Sequence, residues 1–381
     1  AWTVGWALIL EYAVAAGAVA VGWSGYINGL LHEMNMGLPA ALMAGPADTI
    51  TLADGTTAHG TFNLLAFAIS ILITWLLVLG TSKSAKFTSI LVVVKVLALS
   101  VFIVLAWPHI QHSNFEPMLP NGWGTPLSGV GVLGAAASIF FAYVGFDAVS
   151  TAAEETENPN RNIPIGLIGS LAVCTVFYLL VSYAAIGSMG AQPGGALSQS
   201  KEPLAFVLKE IGYPSVGNAI GIAAVLALPS VVLMMIFGQT RILFTMARDG
   251  LMPKSFANVH EKYHTPHVVT IVTGVAVSIF AAIFPVGALA DISNSGTLFA
   301  FFVVALGVMV LRKQQPNRHR PFRTPFLWIV GPLAMAGCAL LFVSLGWLTI
   351  KLFLGWFVIG MAVYFLYSRK RSHLANGTEH T

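Results

Sequence analysis

Apolar residues run through this chain in ten long stretches that are separated by shorter polar segments. A helix needs about 20 mostly apolar residues to cross the hydrocarbon layer of a bilayer. Strands of a membrane barrel would alternate over about 10 residues, and the run from Leu64 to Leu79 does not alternate. The pattern predicts an all-α polytopic membrane bundle with ten spans, at residues 6–30, 62–80, 87–107, 129–151, 165–188, 216–240, 268–284, 288–311, 326–346 and 348–368.

The composition agrees with this pattern. Charged residues make up 9% of the chain and hydrophobic residues 56%, whereas soluble domains carry about 25% charged residues. These proportions exclude a water-soluble globular protein, a disordered chain and a nucleic-acid-binding surface. Both cysteines, Cys174 and Cys338, lie in apolar stretches, so no disulfide framework is indicated. The expected surroundings are a lipid bilayer.

The basic residues are distributed unequally between the two sets of loops. Lys201, Lys209 and Lys351 lie on one side, and fifteen lie on the other: Lys83, Lys86, Arg161, Arg241, Arg248, Lys254, Lys262, Arg312, Lys313, Arg318, Arg320, Arg323, Arg369, Lys370 and Arg371. Cytoplasmic loops retain Lys and Arg. We therefore predict one transmembrane domain over residues 1–381, with both termini cytoplasmic and a short cytoplasmic tail at 369–381.

Few charges fall inside the predicted spans, and each is a candidate for function. Lys95 lies 8 residues into its span, a depth of roughly 12 Å at about 1.5 Å per residue. An ammonium at that depth usually faces a polar cavity or an ion pathway, although a lysine can also extend to the interface. Glu11 is shallower, so helix pairing and transport chemistry are equally open for it. Asp147 follows a glycine near the middle of the membrane.

The segment from Ser138 to Asp147 predicts an interrupted helix, because Gly145 and an acid stand two residues apart inside an apolar stretch. An interruption at this depth frees backbone carbonyl and amide groups, which can line a cavity for a small polar substrate. A lone glycine more often allows close helix packing. The acid at Asp147 and the acidic exit at Glu154 and Glu155 favour the binding site.

Five segments carry a family resemblance: LILEY ending at Tyr12, VGWSGY, FFAYVGFDAVSTAAEETENPNRNIP, GQTRILFTMARDGLMP and GTLFAFFVVALGVMVLR. In this order and spacing, they resemble the amino acid permeases of the amino acid–polyamine–organocation superfamily, in particular bacterial relatives of the cationic amino acid transporters. The resemblance runs from about residue 1 to 368. It implies a LeuT-type fold of twelve spans with two inverted five-helix repeats, in which this chain supplies spans 3 to 12.

The resemblance also implies roles for the interrupted helix, which would be the family's sixth span. The substrate would bind at Phe141, Ala142, Tyr143, Val144 and Gly145, with its ammonium on the carbonyls near Phe141, Ala142 and Val144. Phe141 matches the aromatic gate over the substrate. These assignments come from the family and not from the spacing of the residues.

The same resemblance implies secondary active transport of L-amino acids across the bacterial inner membrane. Lys95 matches a lysine that stands near a sodium position in members without sodium dependence, which implies proton coupling or a fixed cation in place of sodium. Asp147 and Glu11 are secondary candidates for coupling. An amino acid or polyamine exchanger without proton coupling is the alternative. Only Asp147 is an acid near the pocket, so small neutral substrates are favoured over cationic ones.

One departure from the family concerns the upstream spans. The glycine-rich break of the family's first span, which would receive the substrate carboxylate at a helix end, is absent from this sequence. We therefore expect the chain to be a fragment of the transporter, which alone binds amino acids weakly or is inactive.

Two rival classes of function are weaker. An intramembrane enzyme would need paired acids or a serine with histidine at membrane depth, and no histidine falls in a predicted span. His260, His264 and His267 have helical spacing, but they belong to a basic loop that Pro266 interrupts. We expect no enzymatic activity, no metal site and no cofactor.

Overall fold

Apolar helices form most of the protein in the computed structural model, which describes residues 2–51, 57–80, 85–147, 156–192, 194–320 and 322–372. The α-helices are α1 (Trp2–Glu33), α2 (Leu64–Val78), α3 (Ala85–Ala106), α4 (Gly131–Ile139), α5 (Pro159–Met189), α6 (Ala196–Gln199), α7 (Pro203–Glu210), α8 (Pro214–Arg248), α9 (His267–Ile283), α10 (Val286–Gln314), α11 (Leu327–Ser344), α12 (Trp347–Val363) and α13 (Arg369–Arg371). Short 3₁₀ segments cover Ala40–Leu42, Trp107–His109, His112–Phe115, Phe140–Tyr143 and Lys254–Ala257, and Tyr364–Ser368 is π-helical.

The predicted all-helical membrane fold is confirmed. Within the described ranges, seven helical segments are long and apolar enough to cross a membrane, and three shorter apolar helices cover Leu64–Val78, Gly131–Tyr143 and His267–Ile283. Each of the ten predicted stretches overlaps one of these helices. The ends of the helices differ from the predicted ends because some helices continue beyond their apolar part. In α8, for example, the polar segment from Thr240 to Arg248 is still helical.

The segment between α1 and α2 contains a feature that the apolar pattern does not indicate. Strands β1 (Thr49–Thr51) and β2 (Thr57–His59) pair antiparallel, with Ile50 opposite Ala58. This hairpin lies outside the apolar helices, so it leaves the bundle unchanged.

Helix α1 lies at the centre of the bundle, packed against α8 and α10. Its middle carries small residues, and Ala15 and Ala16 are fully buried, which lets neighbouring helices approach closely. On α8, a Cβ at Gly238 would lie 2.6 Å from the Tyr12 ring, so only glycine leaves room for that ring. In contrast, α5, α11 and α12 expose large apolar side chains such as Leu179, Leu333 and Val358, as expected of surfaces that face lipid.

A proline inside α8 is compensated by a side chain of α1. Pro229 has no backbone N–H, so it cannot donate to the carbonyl four residues earlier. That carbonyl, of Val225, accepts a hydrogen bond of 2.9 Å from the indole Nε1 of Trp23. The part of α1 around Trp23 is thereby fixed to α8 near Pro229.

Candidate functional site

Helix α4 ends inside the bundle, as the pattern around Gly145 predicts. The α-helix stops at Ile139, and a 3₁₀ turn follows from Phe140 to Tyr143. Val144 is extended, with ψ of 134°, and Gly145 has φ of +104°, a conformation that L side chains rarely adopt. The predicted acidic exit at Glu154 and Glu155 lies outside the described residues.

The three carbonyls expected to receive a substrate ammonium differ in their surroundings. The Phe141 carbonyl accepts a hydrogen bond of 3.1 Å from the Val144 N–H. The Ala142 carbonyl accepts one of 2.6 Å from the hydroxyl of Tyr178. Within the described ranges, the Val144 carbonyl has no donor. The break therefore offers one open acceptor at Val144 and one at Ala142 that a neutral hydroxyl already uses.

Two side chains of α5 hold the broken segment. Besides the bond from Tyr178, the hydroxyls of Tyr143 and Thr175 lie 3.1 Å apart. The rings of Tyr143 and Tyr178 meet edge to face, with centroids 5.3 Å apart. Thr175 and Tyr178 are three residues apart on one helix and so share a face. The sequence alone does not reveal this pair, because a tyrosine in an apolar span resembles any other core aromatic residue.

Acidic side chains of α1 and of the break come together beside this segment. The Tyr12 hydroxyl donates to Oδ2 of Asp147 at 2.9 Å, and the two residues are 135 positions apart in the chain. Glu11 is fully buried, and its carboxylate interacts with the Thr297 side chain of α10. The carboxylates of Asp147 and Glu11 are close enough for their charges to interact. Both secondary candidates therefore lie at one place in the bundle.

Helix α10 supplies a polar layer that the sequence analysis missed. The Ser138 hydroxyl donates to Oδ1 of Asp291 at 2.6 Å. The side-chain amide of Asn294 donates to the carbonyls of Ala137 and Ser138, both at 2.9 Å, which are acceptors that an ending helix leaves open. The Ser293 hydroxyl donates to the Glu11 carbonyl at 3.2 Å. The polar run from Asp291 to Thr297 inside an apolar stretch is the signal that would have revealed this layer.

The predicted gate residue lies between apolar clusters. Phe141 packs against the cluster that contains Tyr12 and Met235, and also against the one around Leu10 and Phe353. A Cβ at Gly145 would lie 2.8 Å from the Met235 Cε. Apolar side chains of α1, α8 and α12 therefore surround the break on the side where Phe141 points.

Lys95 lies against α8 and not at the break. Its ammonium donates to the hydroxyl of Ser230 at 3.3 Å, and that hydroxyl donates to the Ala227 carbonyl at 2.6 Å. The described chain contains no carboxylate within 4.0 Å of the Lys95 ammonium. The structure thus brings Glu11 and Asp147 to the break and places Lys95 on a separate helix pair.

The histidines of the α8–α9 loop interact with one another and with backbone. The rings of His260 and His267 meet edge to face, with centroids 5.0 Å apart. Nδ1 of His260 accepts from the backbone N–H groups of Lys262 and Tyr263. In the described ranges, no three His, Cys, Asp or Glu residues form a group that could hold a metal ion.

Comparison with known proteins identifies the family that this sequence matches. The profile of the family described as amino acid permease matches residues 1–368. The chain is 43% identical over 377 residues to the branched-chain amino acid permease of Bacillus subtilis (strain 168), covering 98% of this chain and 77% of that protein. It is 40% identical over 375 residues to the methylthioribose transporter of the same strain, with the same coverage. Cationic amino acid transporter 2, vacuolar, of Arabidopsis thaliana is 33% identical over 321 residues, covering 84% of this chain and 48% of that protein.

Proposed function

Because the chain belongs to the amino acid permease family and is a transporter and not an enzyme, we propose that it moves L-amino acids across the bacterial cell membrane by alternating access. The observation that carries this proposal is the end of α4 at Ile139 and of its 3₁₀ turn at Tyr143 inside the bundle, with backbone acceptors beside them. A free amino acid carries an ammonium and a carboxylate, and burying either without partners costs several kcal/mol. Backbone carbonyls at a broken helix supply partners for the ammonium.

In this proposal, the substrate ammonium binds the open carbonyl of Val144 and competes with Tyr178 for the carbonyl of Ala142. Phe141 closes over the substrate as a gate. Tyr143 and Gly145 shape the backbone of the site. Glycine is needed at position 145 because L side chains rarely adopt a φ of +104°.

The side-chain preference that we propose is apolar and neutral. Phe141 and Met235 present apolar surface next to the break, and Asp147 already accepts from Tyr12. A cationic side chain would need an acid of its own. The relative with 43% identity is named for branched-chain amino acids, which agrees with this preference. Methylthioribose is the second candidate substrate, since a relative with 40% identity is named for it.

We further propose that transport is coupled to protons through Lys95, with Glu11 and Asp147 as secondary proton-binding groups. Lys95 has a neutral partner in Ser230, so it can lose its proton without leaving a carboxylate unpaired. Glu11 is completely buried beside Asp147, and buried acids in membrane proteins commonly take part in proton relays. Both termini are proposed to be cytoplasmic on the basis of the basic residues.

Uptake by Gly145→Ala in proteoliposomes, measured in a form that also carries the family's two upstream spans, tests the site directly. The methyl group needs an unfavourable backbone conformation and meets Met235, so leucine uptake should fall about tenfold or more, which corresponds to about 1.4 kcal/mol. Gly337→Ala is the matched control, because nothing lies within 4 Å of its new Cβ and its φ is ordinary. Equal activity of the two variants would place the substrate elsewhere. Competition by leucine, arginine and methylthioribose then identifies the substrate.

A further inference from the structure

The side chain of Asn294 is a buried amide that donates both of its hydrogens to the end of α4. Asn294 lies on α10 and is completely buried. Its Nδ2 lies 2.9 Å from the carbonyl oxygens of Ala137 and Ser138. Two acceptors around one end of an amide identify that end as the nitrogen. Within the described residues, Oδ1 of Asn294 has no donor, so both hydrogen bonds of this side chain are directed at α4.

The two carbonyls that Asn294 binds belong to the last turn of α4, directly before the break. The α-helix ends at Ile139, and the 3₁₀ turn from Phe140 to Tyr143 follows. Carbonyls in the last turn of a helix lack intrahelical partners, and a buried carbonyl without a partner costs about as much free energy as a lost hydrogen bond. Asn294 supplies the missing donors from another helix. It therefore stabilises α4 at the point where the regular helix stops.

A second residue of α10 binds the same turn of α4. The Ser138 hydroxyl donates to Oδ1 of Asp291 at 2.6 Å. Asp291 and Asn294 are three positions apart and so share a face of α10. Ser138 is therefore bound through its side chain and through its carbonyl, which leaves this turn little freedom to rotate or slide against α10.

Helix α10 is itself fixed to α1, the helix at the centre of the bundle. The Ser293 hydroxyl donates to the Glu11 carbonyl at 3.2 Å. A Cβ at Gly296 would lie 2.8 Å from the Ala7 carbonyl oxygen, so the two backbones are in close contact. The end of α4 is thus positioned relative to the centre of the bundle through α10.

The bond from Tyr178 cannot hold the break throughout the proposed transport. Tyr178 donates to the Ala142 carbonyl, the acceptor for which the substrate ammonium competes. The carbonyls of Ala137 and Ser138 lie outside the proposed substrate contacts, so their bonds persist when the substrate binds. We propose that Asn294 is a positioning residue, which holds the broken segment in place while the substrate replaces Tyr178. This inference rests on the proposed amino acid transport and adds a residue that does not contact the substrate.

Hydrogen exchange, measured by mass spectrometry on the 381-residue chain, tests whether Asn294 holds the break. In Asn294→Ala, the amides of residues 140–147 should exchange about tenfold faster, because two hydrogen bonds to the preceding turn are lost. Gln239→Ala is the matched control: Gln239 is also a buried amide that donates to a backbone carbonyl of another helix, that of Ile9 at 3.2 Å. It should change exchange of residues 140–147 less than about twofold. Equal acceleration in both variants would overturn the proposal.

Leucine exchange in proteoliposomes tests whether this position matters for binding. It is measured in a form that also carries the family's two upstream spans. Asn294→Ala should raise the KM for leucine about tenfold and lower the maximal rate less than about threefold, because displaced acceptors weaken binding. Gln239→Ala should change neither value more than about twofold. A lower maximal rate at an unchanged KM would show that the contact serves the stability of the helix and does not position the binding groups.

Asn294→Asp guards against a folding defect in the alanine variant. It keeps the volume of the side chain but offers at most one hydrogen to the two carbonyls. Exchange of residues 140–147 and the KM should therefore change in the same direction as in Asn294→Ala. If Asn294→Asp behaves like the parent, the proposal is wrong. Failure of the parent form to transport leucine would instead contradict the proposed function, while hydrogen exchange still decides whether Asn294 holds the break.

Discussion

Lys95 has an unusual environment for a cation inside an apolar helix. Its one described polar contact is the hydroxyl of Ser230, the residue that follows Pro229 in α8. A neutral partner stabilises the ammonium less than a carboxylate would. A lysine in this setting can change its protonation state or its partner at low cost, which is what a coupling residue requires.

Lys95→Ala should therefore separate coupling from binding. We expect uptake driven by a proton gradient to be abolished, while exchange of labelled for unlabelled leucine across the membrane continues. Proteoliposomes with and without an imposed pH gradient, loaded with a form that also carries the family's two upstream spans, measure both activities. Lys351→Ala is the control, because Lys351 is exposed on α12 with its ammonium 5.2 Å from the Trp347 ring. Accumulation of substrate by Lys95→Ala in response to the gradient would contradict the coupling role.

Helix α7 is fixed to the C-terminal end of α1 by an ionic group. The Lys209 ammonium lies 2.7 Å from Oε1 of Glu33 and 2.9 Å from Oε1 of Glu202. Gly25 and Gly29 leave room for this contact, since a Cβ at Gly29 would collide with the Glu202 carboxylate. The segment from Lys201 to Lys209 thus lies directly on α1.

Lys209→Met should destabilise the protein by about 1–3 kcal/mol, because two carboxylates lose a charged partner. Burial lowers the pKa of Lys209, but the hydrogen bonds and charges of Glu33 and Glu202 outweigh burial and raise the pKa above its ordinary value of 10.5. A raised pKa stabilises the folded state while the lysine is protonated, and this contribution disappears as pH rises through the folded-state pKa. The difference in thermal midpoint between parent and variant should stay constant up to about pH 10.5 and shrink above it.

A second ion pair of the same segment provides the comparison for Lys209. The Lys201 ammonium lies 2.8 Å from Oδ2 of Asp48, but 46% of the Lys201 side chain is exposed. Exposed pairs contribute little, so Lys201→Met should change stability by less than about 1 kcal/mol. If Lys201→Met is as destabilising as Lys209→Met, the partly buried ionic group of Lys209 is not what holds α7 to α1.

For the whole molecule, the excess of basic residues on one side makes a prediction about the membrane. Single cysteines at Thr57 and Asn317, introduced after Cys174→Ala and Cys338→Ala, should react with an impermeant maleimide from opposite sides of the membrane. Thr57 should react in intact cells, and Asn317 only after the membrane is opened. Reaction of both positions in intact cells would contradict the proposed orientation.

The helices were predictable because a helix that crosses a bilayer needs an apolar stretch of a known length. The break was predictable from Gly145 and Asp147, since each disfavours a continuous apolar helix. The polar contacts around the break were harder to predict. Asp291 lies in the first two turns of its helix, where a charge is ordinary. Asn294 differs from a packing residue only through its hydrogen bonds to α4. The hydrogen bond from Tyr178 to the Ala142 carbonyl depends on how α4 and α5 pack. A local sequence pattern carries no information about that packing.

If the substrate ammonium binds the Ala142 carbonyl as proposed, the bond from Tyr178 makes ligand arrival an exchange of hydrogen-bond donors. A ligand that takes this carbonyl displaces the phenol, so the enthalpy gained is the difference between two hydrogen bonds and not the whole of one. A neutral hydroxyl, such as that of a sugar, gains almost nothing from such an exchange. An ammonium gains, because a charged donor binds about twice as strongly as a neutral one. In the proposed site, the Ala142 carbonyl would therefore discriminate ligands by the charge of their donor, before any side-chain pocket contributes.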